Sequence, residues 1–303
     1  MARKIRLDAS LELQNLHLFL ATENLWAFNN QTEPIVIDAS KQRWIEPGPL
    51  VALTTALLAQ KRDNGASIYT SFGGASNTSF YDRMKFFTLL DCDAPERAWG
   101  QADESGRFIT LTSFETLSDV SRFVKQAAAI LNVDATEIGP YVSRSFEEAM
   151  RNAVQHTGPS PIRLLAAQRF PKQKRVQLAI AICDSGIGIL KSLRRDPTIK
   201  VKDAKSALLT AIRPGISGAR LLPCESEFER NQGFGLFLMI ELTRRTYGTL
   251  ILATGDRLLM QNGKLQHIFK IKPICGTILV IEFHDNYLQE FFTLQNELIA
   301  QLP

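Results

Sequence analysis

Four short runs in this 303-residue sequence combine acids, amides and glycines at spacings that suit chemistry. The first is Phe146-Glu-Glu-Ala-Met-Arg-Asn-Ala-Val-Gln-His156. Glu148 and Asn152 are four apart, so on a helix they project from one face, a turn from each other. A carboxylate there can orient or deprotonate a water, and an amide oxygen can ligate a hard cation such as Mg²⁺. The second run is Asp184-Ser-Gly-Ile-Gly188. A carboxylate at a strand end can accept a hydrogen bond from an amino group such as that of adenine. Gly186 and Gly188 let the backbone turn tightly and approach a flat ring. In the third run, Asn231-Gln-Gly-Phe-Gly-Leu-Phe-Leu-Met-Ile-Glu-Leu242, Gly233 and Gly235 open an apolar helix. Unpaired amides at such a start, reinforced by the helix dipole, form an anion site. The spacing is neither GxGxxG after a parallel strand nor GxxxxGK[ST], which excludes the Rossmann and P-loop readings. The fourth run, Cys275-Gly-Thr277, sets a hydroxyl at the start of the last strand. Singly, each run also reads as plain structure: a solvent-facing helix, a surface turn, a lead into a core helix, a strand start.

The elements that must position these residues follow from periodicity. Arg175–Cys183 alternates, with Val176, Leu178, Ile180 and Ile182 on one face, which predicts a strand running into Asp184. Helices are expected at Ser118–Leu131 and from Gly139 to about His156, after a strand at Phe108–Phe114. Three strands should close the chain, at Thr249–Thr254, within Leu258–Ile271 and at Thr277–Phe283. Asn262-Gly263 signals a hairpin between them. Residues 189–232 show no strand pattern, and a stretch that long in a compact domain is a lid or a disordered segment. The result is an α+β two-layer sandwich, helices over an antiparallel-rich sheet.

Taken together and in order, the four runs resemble the GHKL superfamily, to which DNA gyrase, histidine kinases and anti-sigma-factor kinases belong. Glu148 and Asn152 match its N-box, Asp184 to Gly188 its DxGxG box, Gly233 to Leu236 its GxGL box, and Gly276-Thr277 its late Gly-Thr. The resemblance spans about residues 110–285 and implies a Bergerat ATP-binding fold with ATP and Mg²⁺ as ligands. It implies Asn152 on Mg²⁺, Asp184 on the adenine amino group with Gly186, Gly188 and Thr277 around the ring, and Gly233, Gly235 and Leu236 at the phosphates. Glu148 would polarise the attacking water, and 189–232 would be the ATP lid. His156, Arg213 and Arg230 are further candidates near the phosphates, each with an equally plain structural reading.

The first third has a strand–helix–strand–helix grammar that points to an α/β layer. Pro34–Asp38 reads as a buried strand. Glu46-Pro-Gly-Pro49 sets up a helix over Leu50–Lys61 that Asn64-Gly65 ends, Ala66–Thr70 is a second strand, and Ser79–Leu90 a second helix. The pattern lapses over Asp91–Arg107, giving domains at 1–107 and 108–303. The run from Ile35 to Leu53 is similar to STAS domains, which implies a regulatory, protein-binding module. Where that family often carries a phosphorylatable serine, this sequence has Glu46-Pro-Gly-Pro49, and Thr54 and Thr55 lie too deep in the helix to replace it. His17 lacks the acidic neighbour and proline of a phosphoaccepting histidine, which argues against autophosphorylation on histidine.

Composition narrows the field. A net charge of +4 from 35 basic and 31 acidic residues, without a dense basic stripe, gives no support to a nucleic-acid partner. Pro171–Arg175 reads as a solvated loop. No apolar run is long enough to span a bilayer, and four scattered cysteines without a CxxC pair fit a reducing, cytoplasmic setting. The resemblances together imply an ATP-dependent conformational switch with slow hydrolysis and a protein partner; a homodimer stays open. The alternatives are a serine/threonine protein kinase of the anti-sigma type and a nucleotide sensor that does not hydrolyse.

Overall fold

The computed structural model describes residues 2–27, 33–72, 78–95, 107–131, 147–154, 161–170, 178–216, 235–245 and 247–283. The first elements are β1 (Arg3–Arg6), β2 (Ser10–Leu11), α1 (Leu16–Thr22), β3 (Ile35–Asp38), β4 (Trp44–Ile45) and α2 (Pro47–Asn64). Next come β5 (Ile68–Ser71), α3 (Thr78–Arg83), α4 (Phe86–Leu90), β6 (Phe108–Ser113), α5 (Leu117–Leu131) and α6 (residues 147–154). The chain continues through β7 (Arg163–Arg169), β8 (Leu178–Asp184), α7 (Gly188–Leu193), α8 (Ala204–Ala211), α9 (Gly235–Arg245), β9 (Thr249–Asn262) and β10 (Leu265–Phe283). It is a mixed α/β protein with a parallel sheet β1-β3-β5, a small parallel pair β2-β4, and an antiparallel sheet β6-β7-β8-β10-β9.

Helix α2 is the hinge of the architecture. Proline in its first turn costs no intrahelical bond, and Gly65 ends it in the left-handed conformation (φ 64°), its N–H reaching the carbonyls of Gln60 and Lys61. From Pro47 to Leu57 every residue is buried, as expected of a helix that is apolar all round. Leu50 and Leu53 share one core with Ile5 and Ile37 of the parallel sheet and with Ala181 and Val280 of the antiparallel one. Residues on either side of the 107/108 boundary therefore pack together. The approach is close: a Cβ on Gly48 would lie 3.1 Å from both Val280 methyls. The Thr54 and Thr55 hydroxyls are buried and donate to the carbonyls of Leu50 and Val51 at 2.7 and 2.8 Å.

The antiparallel sheet is covered on both faces. Leu178, Ile180 and Ile182 of β8 turn to a second core with Met150 of α6 and Met239 of α9, while Ala181 and Cys183 turn to α2. The expected alternation is thus of size, not polarity: bulky residues face the α5, α6 and α9 side and small ones let α2 approach.

Several expectations need correction. The three closing strands are two long ones, joined at the expected Asn262-Gly263 turn. Gly255 (φ 56°) and Gly276 (φ 80°) absorb the irregularity as register shifts, so the ladder bends without breaking. Ser79–Leu90 is two short helices parted by Lys85 in the left-handed region, which lets Phe80, Tyr81, Phe86 and Phe87 all turn inward. Residues 188–211 carry α7 and α8; Asp203 caps α8 by accepting from the Ser206 N–H at 2.7 Å. Strands β1, β2, β4 and β7 and helix α1 were not expected. Gly233, His156, Arg230, Val176, the Pro171–Arg175 run and the lid stretch 217–232 lie outside the described residues. Cys92, Cys183 and Cys275 are free thiols. Among the described residues no helix is long and apolar enough to cross a membrane.

Candidate functional site

Helix α6 buries Ala149, Met150 and Ala153 against the sheet and leaves Glu148 and Asn152, one turn apart, half-buried beside that face. Glu147 and Arg151 on the same helix form an i,i+4 ion pair at 2.9 Å. The last described turn of the helix is held by Arg163, the first residue of β7 and only 9% exposed. Its Nε donates to the Ala153 carbonyl at 2.9 Å and its Nη2 to that of Val154 at 3.4 Å.

Register then fixes the next residue. Arg163 pairs with Asp184 across β7 and β8, and Thr277 pairs with Asp184 across β10 and β8. Asp184 therefore ends a central strand with a neighbour on each side, and it is 2% exposed. Burial pushes its carboxyl up to about 7, opposed by the Gly186 N–H, the positive field of Arg163, and the Thr277 hydroxyl and N–H. The Gly186 N–H donates to Oδ1 at 2.8 Å. At neutral pH this carboxyl sits near its midpoint, where a donor from outside can settle it as the anion.

Glycine is required around it. A Cβ on Gly276 would fall 2.0 Å from the Asp184 carbonyl oxygen and 2.6 Å from Oδ1. Gly188 (φ 72°) has no room either, since its Cβ would lie 2.6 Å from the Thr254 hydroxyl. That buried hydroxyl accepts from the Ile189 N–H and donates to the Gly276 carbonyl, both at 3.0 Å. It ties the turn after Asp184 to the one before Thr277. On the other side, a Cβ on Gly235 would lie 1.9 Å from Glu148 Cγ. The Glu148 side chain therefore lies against the first residue of α9, a favourable place for a carboxylate. Leu236 packs into the core beneath.

Of the residues singled out from sequence, Glu148 and Gly235 thus meet, and Asp184, Gly186, Gly276 and Thr277 meet. Gly188 joins the second group through Thr254, and Asn152 stands one turn along α6 from Glu148. Arg213 is exposed at the end of α8. Trp26 is buried and Trp44 half-buried among aromatic rings. Sequence reasoning missed Arg163 and Thr254. A lone arginine opening an apolar run and a hydroxyl just before Gly255 were the only signals, and both roles depend on register between distant strands.

Among the described residues singled out from sequence, Asn152 carries an amide oxygen of the kind a hard cation such as Mg²⁺ takes as a ligand. This fits a cation that keeps several waters and takes its remaining ligands from substrate phosphates. Among the described residues no cluster of three or more His, Cys, Asp or Glu is arranged to hold a metal. Compared with protein-family models, with curated proteins and with solved structures, the chain matches none.

Proposed function

We propose that this protein binds Mg-ATP in a Bergerat-type site of the GHKL kind and works as an ATP-dependent conformational switch with slow hydrolysis. The observation that carries the reading is convergence. Motif residues from four separate stretches come together as two contacting groups joined by the Arg163 bridge, with glycines at positions where no other residue fits. A five-stranded antiparallel sheet with α5, α6 and α9 over one face agrees with that fold.

In this reading Asp184 accepts from the adenine amino group, while Arg163 and Thr277 hold its carboxyl in place. Gly186, Gly188 and Gly276 let the backbone close around the ring. The amides of Gly235 and Leu236 at the start of α9 face the phosphates, with Gly233 expected there from sequence, and Asn152 supplies one oxygen to Mg²⁺, which would neutralise phosphate charge. Glu148 takes a proton from a water whose oxygen attacks the γ-phosphorus, and the bond to the β,γ-bridging oxygen breaks, leaving ADP and phosphate. Bound nucleotide would change the surface offered to a protein partner, because the ligand favours one state over the other. The first-third layer, with its β3-α2-β5 crossover, serves in this reading as the STAS-like partner-binding module, coupled to the site through α2.

The test follows γ-labelled Mg-ATP with wild type, Asp184→Asn and Glu148→Ala. A buried carboxyl titrating near 7 tolerates a neutral isostere, so Asp184→Asn should stay folded yet lose nucleotide binding. Glu148→Ala should bind and lose turnover. Unchanged ATP affinity in folded Asp184→Asn would overturn the site. Label appearing in protein in place of free phosphate would replace the switch with a protein kinase.

A further inference from the structure

Among the described residues the parallel sheet is open on one side. Ile5, Ile35, Ile37 and Ile68 turn to the core, whereas Lys4, Arg6, Val36, Asp38 and the 57%-exposed Tyr69 share the opposite, solvent-facing side. Sheets of parallel strands are ordinarily covered on both faces. At the carboxyl end of β1 and β3 this open face deepens into a cleft of about 330 Å³ lined by Lys4, Arg6, Leu7, Asp38, Ser40 and Lys41. The carboxyl ends of parallel strands are where α/β folds place small ligands, because the connections leave crevices there. The volume is at the small end of the range for such sites.

The charges in the cleft are unequal in what they have left to offer. Lys4 Nζ is committed to Asp38 Oδ2 at 2.7 Å, and the Ser40 hydroxyl and N–H donate to Asp38 Oδ1 at 2.6 and 3.1 Å. Asp38 is thereby held ionised, well below the usual carboxylate range, by Lys4 and Ser40. Three of the roughly four acceptor positions of a carboxylate are then used, and one remains. Lys41 and Arg6, both exposed, also line the cleft. Glu23, whose carboxylate accepts from the Arg6 N–H and feels its positive charge, partly offsets Arg6 but does not line the cleft.

We infer that this cleft binds the phosphate monoester of a small polyhydroxylated molecule. Arg6 and Lys41 take the phosphate dianion, the guanidinium offering two parallel donors to its oxygens. The free acceptor position of Asp38 takes a hydroxyl of the carrier. Inorganic phosphate would gain from the cations but can offer the Asp38 carboxylate only its own P–OH, whereas a carrier hydroxyl donates to Asp38 while the dianion stays with the cations. The site is separate from that of Asp184 and does not depend on the nucleotide reading.

Calorimetric titration of the full chain with ribose 5-phosphate, inorganic phosphate and ribose separates the possibilities. Ribose 5-phosphate should bind at least about tenfold tighter than phosphate, ribose should not bind, and affinity should fall as salt rises. The double variant Arg6→Gln/Lys41→Gln, both exposed and so expected to stay folded, should lose at least about tenfold. Asp184→Asn should bind ribose 5-phosphate as wild type does. Equal affinity in the folded double variant, or phosphate binding as tightly as its ribose ester, would overturn the assignment.

Discussion

Asp38 ends β3 and Asp184 ends β8, and each accepts a hydrogen bond from the N–H two residues on, Ser40 at 3.1 Å and Gly186 at 2.8 Å. The local turn is the same, yet the two carboxyls are driven in opposite directions. Asp38 lies on the open face of a sheet, where Lys4 reaches it at 2.7 Å and water still solvates it, so its ionised form is favoured. Asp184 lies between two neighbouring strands and under a helix layer, where burial outweighs every donor around it. Arg163 is close enough to help, but its guanidinium is spent on the carbonyls of Ala153 and Val154. A strand-end aspartate is thus a permanent anion or a poised acceptor according to what covers the strand, not to the turn that follows it.

The comparison breaks most completely at Gly276. An added Cβ there would overlap the Asp184 carbonyl group, and φ of 80° is itself unfavourable for any other residue. Gly276→Ala should lower stability by more than about 4 kcal/mol or prevent folding. Gly263→Ala is the control. Its φ is also positive, at 51°, but the nearest obstacle is the exposed Tyr247 ring at 3.1 Å. It should cost only about 1 kcal/mol. Denaturant titration of both variants measures the difference, and equal losses would mean that close approach adds nothing to backbone strain.

A second buried acid sharpens the same contrast. Glu282 of β10 is 7% exposed and faces Glu46 and Glu12; burial, with those two carboxylates, pushes it up to about 8. For both Asp184 and Glu282 the folded pKa is raised, so well below pH 4 each is neutral in both states and costs nothing. As pH climbs, the unfolded chain ionises while the fold holds its protons. Stability should therefore fall up to about pH 7 for Asp184 and about pH 8 for Glu282, then level. Glu282→Gln should flatten the upper part of that slope and stabilise the protein at pH 8 by on the order of 2–4 kcal/mol. Urea midpoints at pH 5 and pH 8 test it; an identical pH slope in variant and wild type would remove Glu282 from the account.

How much of this could be read in the sequence varies with how local the cause is. The start and stop of α2, the Asn262-Gly263 hairpin and the glycines of the site depend on backbone geometry within a few residues, and they were legible. Strand β7 was not, because Leu164, Leu165, Ala166 and Ala167 are buried on both faces and show no alternation. Strand β1 hid for the opposite reason, since its open face makes Arg3-Lys-Ile-Arg6 mostly charged, with Ile5 alone to mark the buried side. The split between α3 and α4 needs the aromatic core that it serves. Arg163 and Thr254 acquire their roles only when β7 and β9 are in register with partners far along the chain, and the expected closing strands merged because two glycines bend the ladder without ending it. The depth of Asp184 was equally hidden, since it follows from Arg163 and Thr277 on the flanking strands, which only the register places beside it.

The smallest effect completes the comparison at its exposed end. Asp38→Asn removes the ion pair with Lys4, whose side chain is half exposed, so solvent screening leaves it worth only about 0.5–1 kcal/mol. Because the folded pKa of Asp38 is depressed, its contribution is fully present above the ordinary carboxylate range and is lost as pH falls through that range and below it. The pH dependence is thus opposite in sign to that of Asp184 and Glu282. Asp38→Asn should lower the urea midpoint slightly at pH 7 and leave it unchanged well below pH 3, while Glu282→Gln does nothing at acid pH and stabilises at pH 8. A loss in Asp38→Asn of about 2 kcal/mol or more, twice the value expected of an exposed pair, would mean that the open face is covered in solution. The two aspartates would then differ in their partners and not in their burial.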